Sequence, residues 1–428
     1  MKGTFRFFLL LAVVAGMVSS ASVCYGSGFA LFEGSARGNA LACALVGRAD
    51  DPSALFFNPA GITQLPGLQV MAGATFVIPT TKVTTTNAQG VSTGTTTESN
   101  VWYPGHLYMT YQATDRVWLG LGMFSPFGLG TEYPENWPGR YNVYKVVVQT
   151  MNINPNIAFK VNDWFSFALG VDLMWLDLNY KKSIGVAGGS VADISIQGSN
   201  VGMGLNAAVH VRPSDWLKIG LSYRSQVSQN VNGDALYSRT SYFNQLVNAR
   251  ALPANSFQNT SAYGSVTLPD EVFFGAAFYP TKDFSIEAGL IWTRWSTYKD
   301  LTFNFGSAPV PGTPTVSSSR KDWNDVIRPF IGAEYKTTDW LDLRLGFAWD
   351  QEAINPNYVD YALPANNRYW FTLGPGFHWR NWTLDLSYTY IYVVNRDNIQ
   401  ARPSDNILPS SFSNGHTNMI GCSLSYKF

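Results

Sequence analysis

The chain ends Ile420-Gly-Cys-Ser-Leu-Ser-Tyr-Lys-Phe428. Ile420, Cys422, Leu424, Tyr426 and Phe428 alternate with Gly421, Ser423, Ser425 and Lys427. Successive side chains of a strand point to opposite faces, so this stretch has one apolar and one polar face. An apolar row that runs into a terminal Phe fits the last strand of an outer-membrane β-barrel, with lipid outside and a wet lumen inside. The pattern recurs inward along the chain. Leu341, Leu343, Leu345, Phe347 and Trp349 oppose Asp342, Arg344, Gly346, Ala348 and Asp350. Met151, Ile153, Pro155, Ile157 and Phe159 oppose Asn152, Asn154, Asn156, Ala158 and Lys160. Val201, Met203, Leu205, Ala207 and Val209 oppose Gly202, Gly204, Asn206, Ala208 and His210. A water-soluble sandwich would turn its apolar rows to an inner core instead.

Alternation predicts strands near 68–78, 101–112, 116–130, 147–161, 164–178, 201–212, 216–226, 271–280, 283–293, 326–336, 340–350, 368–380, 382–392 and 417–428. That is about 14 strands, an even number as bacterial barrels have. Short connections such as Val161-Asn-Asp-Trp164 and Lys336-Thr-Thr-Asp339 alternate with long ones near 79–100, 131–146, 179–200, 227–270, 294–325, 351–367 and 393–416. The short turns belong on the periplasmic side, the long loops outside. The tryptophans beside short turns, Trp118, Trp164, Trp216, Trp340, Trp379 and Trp382, suit an aromatic girdle at that interface.

Composition agrees. Of 428 residues only 14% are charged and 15% are aromatic, and the formal net charge is zero, which gives a nucleic-acid partner no electrostatic footing. Lys2 and Arg6 precede an apolar run from Phe7 to Val18, too short to span a bilayer as a helix. Residues 1–26 therefore read as a secretory signal. Cys24 leaves with it. Cys43 and Cys422 are expected to stay unpaired, since Cys422 faces lipid and Cys43 lies in a segment placed inside the barrel.

Residues 27–67 do not alternate. They carry Glu33, Arg37, Arg48, Asp50 and Asp51, yet also Phe29, Leu31, Phe32, Leu55, Phe56, Phe57 and Ile62, too apolar for a disordered tail. A plug packed in the lumen is expected, followed by a barrel over 68–428. No catalytic set is expected. His106, His210 and His378 face inward on strands far apart and share no ligand spacing, and His416 stands alone, so neither a metal nor another cofactor is expected. Inward charges such as Lys160, Asp172, Arg212, Glu287, Glu334, Arg344 and Asp385 are expected to pair with one another and with the plug, because an unpaired charge in a confined lumen is costly.

Several motifs resemble the FadL-type outer-membrane transporters of long-chain fatty acids and other hydrophobic compounds. They are Gly28-Phe-Ala-Leu-Phe-Glu33, Ala49-Asp-Asp51 leading to Phe57-Asn-Pro-Ala-Gly61, and Ser125-Pro-Phe-Gly-Leu-Gly-Thr-Glu132. Trp137-Pro-Gly-Arg-Tyr141, Leu268-Pro-Asp270, Trp292-Thr-Arg-Trp-Ser296, Arg368-Tyr-Trp370 and Tyr388-Thr-Tyr390 follow in order. The resemblance implies a 14-stranded antiparallel barrel with an N-terminal hatch, in the outer membrane, acting as a passive channel for fatty acids or aromatic and alkane hydrocarbons. It implies gating residues at Gly28, Phe29, Glu33, Asn58, Pro59 and Ala60. It also implies a kink in the third strand at Ser125, Pro126, Phe127 and Gly128 that opens the wall sideways. Proline removes a ladder donor there and glycine permits a bulge, although the same residues could simply begin an external loop. A lateral exit has a physical motive: each methylene moved into water costs about 0.8 kcal/mol, so a chain of about fourteen costs roughly 11 kcal/mol. The expected surroundings are outer-membrane lipid and lipopolysaccharide, with the assembly machinery engaging Phe428 and a monomer as the working unit. A lipid hydrolase and a surface adhesin using the long loops are the competing classes.

Overall fold

The computed structural model describes residues 28–428 apart from 187 and 188; the predicted signal segment lies outside the described residues. Fourteen antiparallel strands form one closed sheet. They are β1 (Leu68–Thr86), β2 (Gly105–Gln112), β3 in two pieces (Val117–Phe124 and Gly128–Glu132), β4 (Lys145–Lys160) and β5 (Phe165–Val186). Next come β6 (Gly189–Ser214), β7 (Leu217–Arg224 and Val227–Arg239), β8 (Thr260–Leu268 and Glu271–Phe278) and β9 (Phe284–Thr293 and Asp300–Phe305). The circuit continues through β10 (Val316–Arg320 and Val326–Thr338), β11 (Leu341–Asp350), β12 (Arg368–Trp379), β13 (Trp382–Val393 and Arg396–Ile399) and β14 (Ser410–Lys427). β14 pairs with β1 from Gln69–Lys427 to Ile78–Asn418 and beyond, which closes the wall. Closure leaves no unpaired edge in lipid.

The outward rows are apolar and uncovered by protein: Val201, Met203 and Leu205 are 65%, 69% and 61% exposed, and Ile420 and Leu424 are 54% and 45% exposed. Cys422 is exposed and Cys43 buried, and the two are not bonded. Five of the six turn-side tryptophans are exposed. Trp118 is not: its indole turns inward and donates to the carbonyl of Leu65 at 2.7 Å.

Some of the expected long loops are largely strand, while 131–146 and 351–367 are mostly irregular as expected. β5 and β6 run through the predicted loop at 179–200 almost to their turn, and 227–270 holds further strand and the helix Ser241–Asn248. The reason lies in the pattern itself. Through Trp175 the odd positions of β5 are apolar and face lipid; from Leu176 the even, inward ones are, as Leu176 and Tyr180, while Asp177, Asn179 and Lys181 face out. β6 changes over between Gln197 and Val201. A reading that demands apolar residues outward loses the strand where lipid gives way to water.

Residues 28–67 fold into short elements, α1 (Ala36–Ala40), α2 (Ala54–Phe57) and a 3-10 turn (Pro59–Gln64), and lie inside the barrel. Contacts radiate to strands all round the wall. Ala36 N donates to Ser423 Oγ on β14, and Asn39 Nδ2 to Thr75 Oγ1 on β1, both at 2.8 Å. Tyr108 on β2 donates to the Gly34 carbonyl at 2.7 Å. Ser166 on β5 donates to the Ala60 carbonyl at 3.0 Å, and Thr372 on β12 to the Ala40 carbonyl at 2.8 Å. Three ion pairs fix it further, Arg37 with Glu334 at 2.9 Å, Arg48 with Glu287 at 3.5 Å and Asp50 with Lys218 at 3.6 Å.

Candidate functional site: a strapped gap in the wall

The ladder between β2 and β3 runs from Gln112–Trp118 to Leu107–Met123 and stops. Backbone contact between these stretches resumes at Glu98, whose N–H donates to the Glu132 carbonyl at 2.8 Å. In between, residues 99–104 lean towards β1, where Trp102 and Val77 exchange both backbone hydrogen bonds at 2.7 and 2.9 Å. On the other side β3 is interrupted at Ser125, Pro126 and Phe127. Its register against β4 passes from Phe124–Asn152 to Gly128–Gln149, so three residues of β3 oppose two of β4. That is a β-bulge, and it bends the strand away from its neighbour. The segment thus lies in the wall, and is not the start of an external loop.

One side chain replaces the ladder bonds lost at the bulge. The Thr150 hydroxyl, buried on β4, accepts from Phe127 N at 3.1 Å and donates to the Phe127 carbonyl at 2.6 Å. An unpaired backbone group there would cost about 1–3 kcal/mol. Nothing in the sequence singles Thr150 out beyond its inward parity.

The gap is covered from within by residues 28–33, a strap. Ala30 forms an antiparallel bridge with Phe127, with Leu31 N donating to the Pro126 carbonyl at 2.8 Å and Gly128 N to the Phe29 carbonyl at 3.0 Å. The strap therefore takes the place of β2 along the broken edge of β3. Gly128 admits it: a Cβ on Gly128 would stand 2.8 Å from the Leu31 side chain. Behind the strap Phe29 sits among Trp295, Trp323, Tyr298 and Phe127, with ring centroids 4.6, 5.8, 6.2 and 6.3 Å away. Gly28 is held at φ +63°, and a Cβ there would run into Trp323 at 2.6 Å and Trp295 at 2.7 Å. Only glycine combines that backbone with that packing.

The structure thus brings together Gly28, Phe29 and the break at Ser125–Gly128, with Glu33 at the far end of the strap. Asn58, Pro59 and Ala60 lie elsewhere. Asn58 Nδ2 donates to the carbonyls of Val46 and Val209 at 3.0 and 3.1 Å and its Oδ1 accepts from Ala60 N at 3.2 Å. That trio ties the lumenal segment to itself and to β6, away from the gap. Trp295, Trp323 and Leu31 were not foreseen; their roles come from contacts between distant segments.

Most inward charges are paired. Arg224 meets Asp172, and Arg344 meets Glu334 at 2.7 Å and Asp385 at 2.5 Å. Among the described residues Lys160 and Arg212 pair with exposed Asp163 and Asp215 near the turns. Burial opposes charge on Asp50, but Arg37 and Lys218 outweigh it and hold its carboxyl well below the usual range. Burial pushes the Cys43 thiol up to about 11, so it stays protonated and inert. His106 and His210 bond Ser423 and the Gly47 carbonyl, each at 2.9 Å, and His378 bonds Asp342 at 2.7 Å. No metal-holding cluster exists among the described residues. On the short-turn side lies a cavity of 310 Å³ lined by Arg37, Asp50, Lys282, Glu334, Arg344 and His378 among others. Its charged lining makes it a poor route for an alkyl chain.

Comparison with known proteins bears on this geometry. Residues 17–428 match the sequence model of a family described as outer membrane protein transport protein (OMPP1/FadL/TodX). The chain is 24% identical to a long-chain fatty acid transport protein of Escherichia coli over 98% of each. It is similar in fold to a FadL homologue of Pseudomonas aeruginosa, with TM-score 0.82, 19% identity, and 94% of this chain and 100% of that one covered. It is also similar to the Pseudomonas putida toluene transporter TodX, with TM-score 0.69, 17% identity, and 94% and 100% covered.

Proposed function

The chain belongs to the OMPP1/FadL/TodX family of outer membrane transport proteins, and from that premise we propose that it admits long-chain fatty acids or related hydrocarbons and releases them sideways, through the gap between β2 and β3. It is a transporter of hydrophobic compounds in the outer membrane and not an enzyme. The observation that carries the lateral route is the strap. Residues 29–31 hydrogen-bond to the broken edge of β3 as a strand would, yet they belong to the lumenal plug rather than to the wall. A bridge of two backbone bonds is far easier to part than a full ladder, so the gap is a place where the wall can open.

The upper lumen supplies an apolar approach. Leu178, Ile196, Val231, Ala262 and Phe303 line the inner face of β5–β9 above the plug. Cargo descends along this face, reaches the rings around Phe29, displaces the strap and enters the membrane between β2 and β3. It stays out of water on this path, which avoids the cost of roughly 11 kcal/mol for about fourteen methylenes. Release down a gradient needs no other energy source. The plug, anchored to strands on every side, stays in place while Gly28–Glu33 move. Lipopolysaccharide surrounds the exposed outer belt, and Phe428, at the free end of β14, is where the assembly machinery engages the chain.

The test is a panel in a host lacking its own channel of this kind. Cells producing this chain should take up oleate, hexadecane or toluene at least about fivefold faster than empty cells, a gap that needs only about 1 kcal/mol. Equal rates for all three would sink the assignment.

A further inference from the structure

The strap covers only part of the gap. Among the described residues its last bond along β3 is the one that Gly128 N donates to the Phe29 carbonyl at 3.0 Å. Two residues further on, Gly130 is covered by a different segment. Trp102 belongs by its backbone to the opposite rim, since it exchanges both hydrogen bonds with Val77 on β1. Its indole nonetheless lies against β3: a Cβ on Gly130 would stand 2.6 Å from the indole Nε1. One side chain thus crosses from rim to rim. Alternate residues of a strand share a face, so Gly128 and Gly130 form a track free of side chains on one face of β3. Leu31 of the strap fills its first place and the Trp102 ring its second.

The indole is held by contact alone. Trp102 Nε1 is buried and has no hydrogen-bond partner among the described residues, whereas a buried indole N–H usually finds one. Turning the ring away therefore breaks no hydrogen bond and opens the donor to a new one. The two rims, by contrast, are tied at both ends of the gap. At one end Glu98 N donates to the Glu132 carbonyl at 2.8 Å and Asn100 Nδ2 to Glu132 Oε2 at 3.1 Å. At the other the ladder of β2 and β3 begins with Leu107–Met123. These ties fix the length of the opening. The strap and the indole are the parts between them that can move.

We propose that Trp102 is the second leaf of this gate and sets the cross-section of the cargo that leaves through the wall. The inference rests on the reading that cargo exits between β2 and β3. With the strap withdrawn and the indole seated, the opening is limited to the stretch beside Gly128, a slot for an unbranched alkyl chain. A fused-ring cargo also needs the place over Gly130, and passes only when the indole swings off it. Tryptophan suits this task because its ring is a broad, rigid plate with an apolar body.

Uptake of oleate and of pyrenedodecanoate, by cells lacking their own channel of this kind, tests the assignment. The probes share a carboxylate and an alkyl chain and differ in the width of the far end. Trp102→Ala should raise the ratio of pyrenyl acid to oleate uptake about tenfold. Gly130→Ala, whose added carbon drives the ring off its seat, should raise the ratio too. In the double variant Gly130→Ala should add nothing, because it acts through the ring. A merely structural role for Trp102 would change both rates alike and leave the ratio where it was. Heat-modifiable electrophoretic mobility reports whether each variant is a folded barrel, and Gly130→Ala decides if Trp102→Ala does not fold. An unchanged ratio in the folded variants, with Gly128→Leu still blocking oleate, overturns the role of Trp102 and leaves lateral exit standing. Oleate uptake that survives Gly128→Leu, or a wild type that takes up neither probe, overturns the lateral route and this inference with it.

Discussion

Gly128→Leu should lower uptake of hydrophobic cargo at least about tenfold while the barrel still assembles. The first added carbon would stand 2.8 Å from the Leu31 side chain, and the rest of the leucine would fill the gap that Leu31 now occupies. Residue 128 lies beyond the ladder shared by β2 and β3, so no wall pairing between those strands depends on it. The blocked opening costs the moving cargo a barrier rather than costing the protein its fold, and about 1.4 kcal/mol suffices for each tenfold loss in rate. Thr150 provides the companion test. Thr150→Val keeps the shape but strands both backbone groups of Phe127, at about 1–3 kcal/mol each, and should alter uptake; Thr150→Ser keeps the hydroxyl and should behave as wild type. Uptake by Gly128→Leu at the wild-type rate, in cells with equal amounts of folded protein, would count against exit through the wall.

The second large effect is expected at Glu287. This buried carboxylate on β9 accepts three successive backbone N–H groups of the plug: Val46 at 2.8 Å and Gly47 at 3.0 Å on Oε1, and Arg48 at 2.8 Å on Oε2. Arg48, fully buried, has its ion pair there as well. Glu287→Ala leaves that guanidinium without its carboxylate, and breaking a buried pair in this way costs about 3–5 kcal/mol. The plug around residues 44–49 should then open locally without unfolding the barrel. Amide exchange at Val46, Gly47 and Arg48 should quicken roughly 10²- to 10³-fold, the same energy expressed as a population. Glu287→Gln retains an acceptor oxygen and should lie between. Unchanged protection in Glu287→Ala would mean that the plug is held chiefly by its other anchors.

How far the sequence carried the account depended on which physics was local. Alternation at Ile420–Phe428 and Leu341–Asp350 is a property of one strand against lipid, so strand existence, facing and closure were legible. The outer ends of β5 and β6 were not, because above the lipid the apolar residues change face and the expected row vanishes at Trp175 and at Val201. Pro126 and Gly128 announced a weak point in β3 through their own backbone chemistry. What covers it was hidden, since Phe29, Trp295 and Trp323 converge from segments hundreds of residues apart. Trp118 shows the same limit on a smaller scale, as its turn-side position suited the girdle but its parity sent the indole to Leu65.

The central claim is that cargo leaves through the wall between β2 and β3. A fatty acid carrying a photoreactive diazirine near its tail, captured during uptake and mapped by mass spectrometry, tests it most directly. The account predicts labels on the rim of the gap, at Leu31, Trp102, Ser125 and Phe127. Labels concentrated at Lys282, Lys336 and His378, around the charged cavity on the short-turn side, would contradict it and place the exit through the plug.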